Sequence, residues 1–99
     1  MTVTSAGGVI FKQLSTTSRF DKQFKKLPPE IQRLVPQKLE DLLTNPRPAG
    51  LRFEKLKGYA RPDIYTIHIT GNYKISLEID GSLAILRCIG NHNEIDRLP

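Results

Sequence analysis

Ile64-Tyr65-Thr66-Ile67-His68-Ile69-Thr70-Gly71-Asn72-Tyr73-Lys74-Ile75-Ser76-Leu77-Glu78-Ile79 alternates apolar and polar residues on both sides of a turn, and its reading decides the fold. Before the turn, Tyr65, Ile67 and Ile69 share one side while Thr66 and His68 share the other. After it, Tyr73, Ile75, Leu77 and Ile79 oppose Lys74, Ser76 and Glu78. A period of two over such lengths marks strands with one buried face. The register follows from burial. A two-residue Gly71-Asn72 turn would set Ile69 against Lys74 and bury His68 beside Ile75. A three-residue loop, Thr70-Gly71-Asn72, pairs Ile69 with Tyr73, Ile67 with Ile75 and Tyr65 with Leu77, so that all the apolar residues lie on one face. It also sets His68 opposite Lys74.

Working outward, Asp80-Gly81 is a strong hairpin signal and predicts a third strand that ends in Ile89-Gly90-Asn91-His92. Pairing Ile79 with Ser82 would face Lys74 toward Arg87 and Glu78 toward Leu83. Arg47 to Gly58 reads as a connector. On the N-terminal side, Val9 to Leu14 is a candidate strand. Thr16, Thr17 and Ser18 then offer an N-cap for a helix with Phe20, Phe24 and Leu27 on one face. Leu27-Pro28-Pro29 ends that helix and opens another, since proline is tolerated in a first turn. Ile31, Leu34, Val35, Leu39, Leu42 and Leu43 form its apolar stripe, and Asn45-Pro46 closes it. Pro36 lies inside this segment and predicts one kinked helix. The helices form a hairpin that covers the apolar face of the sheet and leaves the other face open.

The chain has 99 residues, 38% hydrophobic and 25% charged, which suits one globular domain. Residues 1–8 are small and polar and are expected to form a flexible tail, with residues 9–99 as the domain. No apolar run approaches the roughly 20 residues that cross a bilayer. The N-terminus lacks the pattern of a signal peptide, so a cytoplasmic protein is expected. Cys88 is the only cysteine; it excludes an intrachain disulfide and sits in an apolar strand as a small hydrophobe.

The formal charge of +5 points to a polyanionic partner. Lys12, Arg19, Lys22, Lys25 and Lys26 crowd one segment, and Arg52, Lys55, Lys57 and Arg61 another. The polar strand face carries His68, Lys74 and Arg87, with His92 just beyond. RNA supplies its own nucleophile, the 2′-hydroxyl. Cleavage needs a base for that proton, cations for the charge on phosphorus and an acid for the leaving 5′-oxygen. Imidazole suits the proton transfers and Lys or Arg the phosphorane. Two histidines without a paired carboxylate or thiolate make a poor metal site, so neither a metal nor another cofactor is expected. The bland alternative is a solvated basic face on a small domain.

The order and spacing of Phe24-Lys25-Lys26-Leu27-Pro28, Asn45-Pro46, Lys55-Leu56-Lys57-Gly58, Asp63-Ile64-Tyr65, Asn72-Tyr73-Lys74-Ile75 and Ile89-Gly90-Asn91-His92 resemble the RelE/ParE superfamily of toxins from bacterial type II toxin–antitoxin modules. The resemblance runs from about Val9 to Pro99. It implies an α+β fold, a helical hairpin packed on a curved antiparallel sheet in the order β-α-α-β-β-β. RelE-like members cut mRNA in the ribosomal A site without metal, through a 2′,3′-cyclic phosphate. The Gly90-Asn91-His92 ending is similar to the nuclease branches, notably the YafQ-like toxins, and gives His92 a catalytic role.

By the same resemblance Lys74 stands at a phosphate-binding arginine, and His68 and Thr66 at basic residues of the preceding strand. Lys57 stands at a residue used for ribosomal RNA. Arg87 joins His92, Lys74 and His68 in the expected catalytic set, while Arg52, Lys55, Lys57, Arg61 and Thr66 form the RNA- and ribosome-binding set. Three departures stand out: Lys in place of Arg at 74, which loses bidentate phosphate geometry; an uncharged Thr66; and no clear counterpart, in Glu94 to Pro99, of the C-terminal Tyr or Phe of several nucleases. The expected partners are a cognate antitoxin, the 70S ribosome and mRNA, with operator DNA reached only through the antitoxin complex and no membrane. The alternatives are a ParE-like gyrase inhibitor without nuclease activity, or a decayed toxin that serves as an antitoxin- and operator-binding module.

Overall fold

The computed structural model describes residues 10–58 and 63–99. Residues 1–8, expected as a tail, lie outside the described residues, as do Val9 and Arg61. The elements run β1 (Gln13–Thr16), α1 (Ser18–Lys25), α2 (Pro29–Leu43), a 3-10 turn (Ala49–Leu51), β2 (Glu54–Lys55), β3 (Tyr65–His68), β4 (Tyr73–Asp80), β5 (Leu83–Asn91) and α3 (His92–Arg97). The sheet has five strands in the order β1-β5-β4-β3-β2. The α+β class and the helical hairpin are as expected.

The β3–β4 register agrees with the burial argument. Tyr65 pairs with Leu77, Ile67 with Ile75 and His68 with Lys74, and Ile69 N donates to Tyr73 O at 2.8 Å. The β4–β5 register differs from the one expected. The turn uses Gly81 and Ser82, so Asp80 pairs with Leu83 and Ile79 with Ala84. Gly81 takes φ 61° at the first central position, which spares Asp80 a left-handed backbone. The register then shifts between Ser76 and Leu77. Leu77 faces Leu86 while Ser76 faces Cys88, which leaves Arg87 as an extra residue on β5. That insertion lets Leu86 and Ile89, three apart on β5, meet Leu77 and Ile75, two apart on β4. Lys74 is therefore opposite Gly90, not Arg87.

Two further corrections concern the sheet's edges. The N-terminal strand runs from Gln13 to Thr16, and it joins β5 in parallel, from Gln13 beside Leu83 to Thr16 beside Leu86, so the sheet is mixed. The connector also contributes β2, antiparallel to β3, with Glu54 beside Thr66 and Lys55 beside Tyr65.

Thr17 is the N-cap of α1: its Oγ1 accepts from Phe20 N at 3.1 Å and donates to the Arg87 carbonyl at 2.7 Å. One hydroxyl thus starts a helix and satisfies the extra residue of β5. Helix α2 runs through Pro36 without a break. Of its expected stripe, Ile31, Val35 and Leu42 are buried, whereas Leu34 and Leu43 face solvent. Ile31, Val35 and Leu42 join Phe11, Phe20, Leu51, Ile67, Ile75, Leu77, Leu86 and Ile89 in one cluster between helices and sheet. Fully burying each such aliphatic chain stabilises by about 1.5–3 kcal/mol. Cys88 is buried, as its strand position predicts.

Helix α3 was not expected. Asn91-His92-Asn93-Glu94 forms a capping box: Asn91 Oδ1 accepts from Glu94 N at 2.9 Å, and Glu94 Oε1 accepts from Asn91 N at 3.2 Å. Gly90 leaves room for this return, since a Cβ there would lie 3.1 Å from Glu94 Oε1. α3 packs on β4 and β5 and buries Ile95. The polar sheet face is consequently not open. Lys74 is 6% exposed, Thr66 1% and Ser76 0%, and Ser76 Oγ donates to Pro99 O at 3.3 Å. No described helix is long and apolar enough to cross a membrane.

Candidate active site

Three elements bring the two histidines together. His68 ends β3, Lys74 lies opposite it on β4, and His92 opens α3 after β5. His92 N donates to Asn72 O at 2.7 Å, which ties the start of α3 to the β3–β4 loop. The imidazole rings of His68 and His92 stand 6.3 Å apart at 62°.

Asp96 completes the cluster from one turn along α3. Its Oδ1 accepts from Lys74 Nζ at 2.9 Å, and its Oδ2 lies 3.1 Å from His92 Nδ1. His92 is about half exposed, whereas Lys74 lies beneath the helix. Sequence reading missed Asp96, although His92-x-x-x-Asp96 is the spacing that puts two side chains on one helix face. What hid it was the absence of a predicted helix there; the capping box was the available signal.

Burial holds the pKa of His68 below its ordinary value of 6.5. The charges of Lys74 and Arg52 push in the same direction, Glu54 opposes them, and His92 adds a smaller lowering. His68 is therefore a neutral imidazole near pH 7, the form that can take a proton. Its charged neighbours place Arg52, which caps the 3-10 turn at φ 54°, and Glu54 of β2 in the surroundings of the histidines.

The other expected residues fall elsewhere. Arg87 does not join the histidines; it pairs through Nη1 with Glu78 Oε2, and its Nε donates to Pro99 O at 3.1 Å. Thr66 is buried between β2 and β4, so direct contact with RNA is closed to it. Lys55 is half exposed and lies 3.4 Å from Asp63, and Lys57 is exposed beside Gly58. Among the described residues no group of three or more His, Cys, Asp or Glu is placed to hold a metal ion.

The resemblance drawn from the sequence is matched in three dimensions. A chain of the RelB–RelE antitoxin–toxin complex from Methanococcus jannaschii superposes with a TM-score of 0.62 at 28% identity, over 86% of this chain and 99% of that one. A chain of the Escherichia coli DinJ–YafQ toxin–antitoxin complex gives 0.70 at 16% identity, over 87% and 98%. One from the archaeal RelE–RelB complex of Pyrococcus horikoshii gives 0.64 at 16%, over 83% and 96%. No family model and no curated protein sequence matches the chain. The chain thus shares its fold with RelE and YafQ toxins solved in complexes with their antitoxins.

Proposed function

We propose that this chain is the toxin of a type II toxin–antitoxin module and a ribosome-dependent, metal-independent mRNA endonuclease. The observation that carries the proposal is the pair of imidazoles, 6.3 Å apart, with Lys74 and Asp96 beside them. His68, neutral at pH 7, takes the proton of the 2′-hydroxyl, and His92 in its protonated form supplies one to the 5′-oxygen. The attack closes a 2′,3′-cyclic phosphate as the P–O5′ bond breaks. Lys74 contributes its charge from beneath α3, and Arg52, whose charge acts on His68, is assigned to the phosphate. The paired state of Arg87 assigns it to holding the C-terminal segment rather than to the reacting atoms.

A cognate antitoxin partner is supported by the complexes in which the structural relatives occur. Lys55 and Lys57 are assigned to ribosomal RNA, and no membrane partner is invoked.

The burial of Lys74 and Thr66 favours one competing reading, a ParE-like gyrase inhibitor that cuts nothing. Expression without antitoxin separates the two. Cuts inside translated codons, with plasmid supercoiling unchanged, support the nuclease. Intact mRNA with altered supercoiling overturns it.

A further inference from the structure

Asp96 touches two members of the site at once, and its two oxygens divide the work. Oδ1 faces the buried Lys74 ammonium from β4, and Oδ2 faces His92 Nδ1 on its own helix. The only other imidazole near His92 is that of His68 on β3, whose own charged neighbours are Lys74, Arg52 and Glu54. The side chain of Lys74 is 7% exposed, and its ammonium anchors the carboxylate to the sheet through a charge-assisted hydrogen bond. An anchored carboxylate 3.1 Å from Nδ1 favours a proton on that nitrogen and leaves Nε2 as the reactive one. Capping by Asn91 and the bond from His92 N to Asn72 O fix the first turn of α3, so the imidazole is held from both ends.

We infer that Asp96 is a positioning residue: fastened by Lys74, it sets the tautomer and orientation of His92, which acts through Nε2. The consequence for cleavage rests on the nuclease reading above, whereas the consequence for the ring does not. The same pair also gives buried Lys74 a use beyond direct phosphate contact.

Long-range 1H–15N spectra of the purified chain in mildly alkaline buffer read the tautomer directly. The parent should carry the neutral proton on Nδ1, and Asp96→Ala should return the ring toward the Nε2–H form that free histidine favours. Because Asp96→Ala strips the partner from a buried ammonium, the comparison is repeated between Lys74→Met and Lys74→Met/Asp96→Ala, where no buried ammonium is left unpaired. An unchanged tautomer in both comparisons overturns the inference. In cleavage assays Asp96→Ala should lower kcat by about 10²-fold with KM nearly constant, and Asp96→Glu should restore most of it. Faster cleavage by Asp96→Ala, the behaviour of a carboxylate that merely plugs Lys74, would also overturn it. A parent that cuts no RNA defeats the nuclease reading alone, and the tautomer comparison still decides the role of Asp96.

Discussion

His68 faces Lys74 directly across the β3–β4 pair, and the lysine's charge disfavours protonation of the imidazole. Burial of the imidazole is the larger cause of its lowered pKa, and the Lys74 ammonium comes next.

A pH dependence of stability follows. The folded pKa of His68 lies below the unfolded value of about 6.5, so between the two the unfolded chain binds more protons. The stability due to neutral His68 is therefore full above about pH 6.5 and is lost as the pH falls through 6.5 toward the lowered folded value. Urea unfolding near pH 8 and near pH 5.5 should show a drop for the parent that shrinks in His68→Gln. An equal drop in both proteins would refute it.

Thr17 joins α1 to the extra residue of β5 through one hydroxyl. Thr17→Ala should lower the unfolding free energy by about 1–2 kcal/mol, more than an exposed cap alone, because the Arg87 carbonyl loses its donor as well. Thr17→Ser should retain most of the stability. Equilibrium denaturation of the three proteins checks this.

That register was only partly legible in the sequence, for a physical reason. Alternation fixed β3 and β4 because a one-residue slip would have turned His68 into the core. It failed on β5, where the chain absorbs an extra residue at Arg87 that no residue type announces. The same holds at the site. His68, Lys74 and His92 could be named from residue chemistry and from resemblance, and His68 and His92 do come together. Asp96 and the covering of Lys74 depended on α3, a helix too short to display a hydrophobic period. Arg87 looked free because its partners, Glu78 and Pro99, meet it only after the β5 register shift and the return of the C-terminal segment.

Lys55 and Lys57 are exposed, and the contact of Lys55 with Asp63 is a surface pair worth under about 1 kcal/mol, too weak to withhold it from RNA. Ribosome binding should weaken steeply with salt, and reversing both residues to Glu should flatten the slope by about one unit or more per lost phosphate contact. A salt slope equal to the parent's would return these residues to a solubilising role.

Between α1 and α2 runs a groove of ≈460 Å³ lined by Phe20, Phe24, Val35, Pro36 and Leu39, with Asp21 and Lys25 on its rim. Leu34 and Leu43 are exposed elsewhere on α2. An amphipathic antitoxin helix should settle here, its acidic residues drawn by the +5 chain. Hydrogen exchange of the free chain and its antitoxin complex should show new protection within residues 18–45. Protection that spares both this region and residues 64–92 would contradict it.

The central claim is that His92 and His68 cut RNA without a metal. The purified chain is mixed with ribosomes stalled on a defined mRNA, EDTA is included at a level the ribosomes tolerate, and the 3′ ends of the fragments are analysed. The account predicts cleavage inside the A-site codon with 2′,3′-cyclic phosphate ends, reduced about 10²- to 10⁴-fold by His92→Ala. Intact mRNA, 3′-hydroxyl ends, or full activity in a folded His92→Ala protein would contradict it.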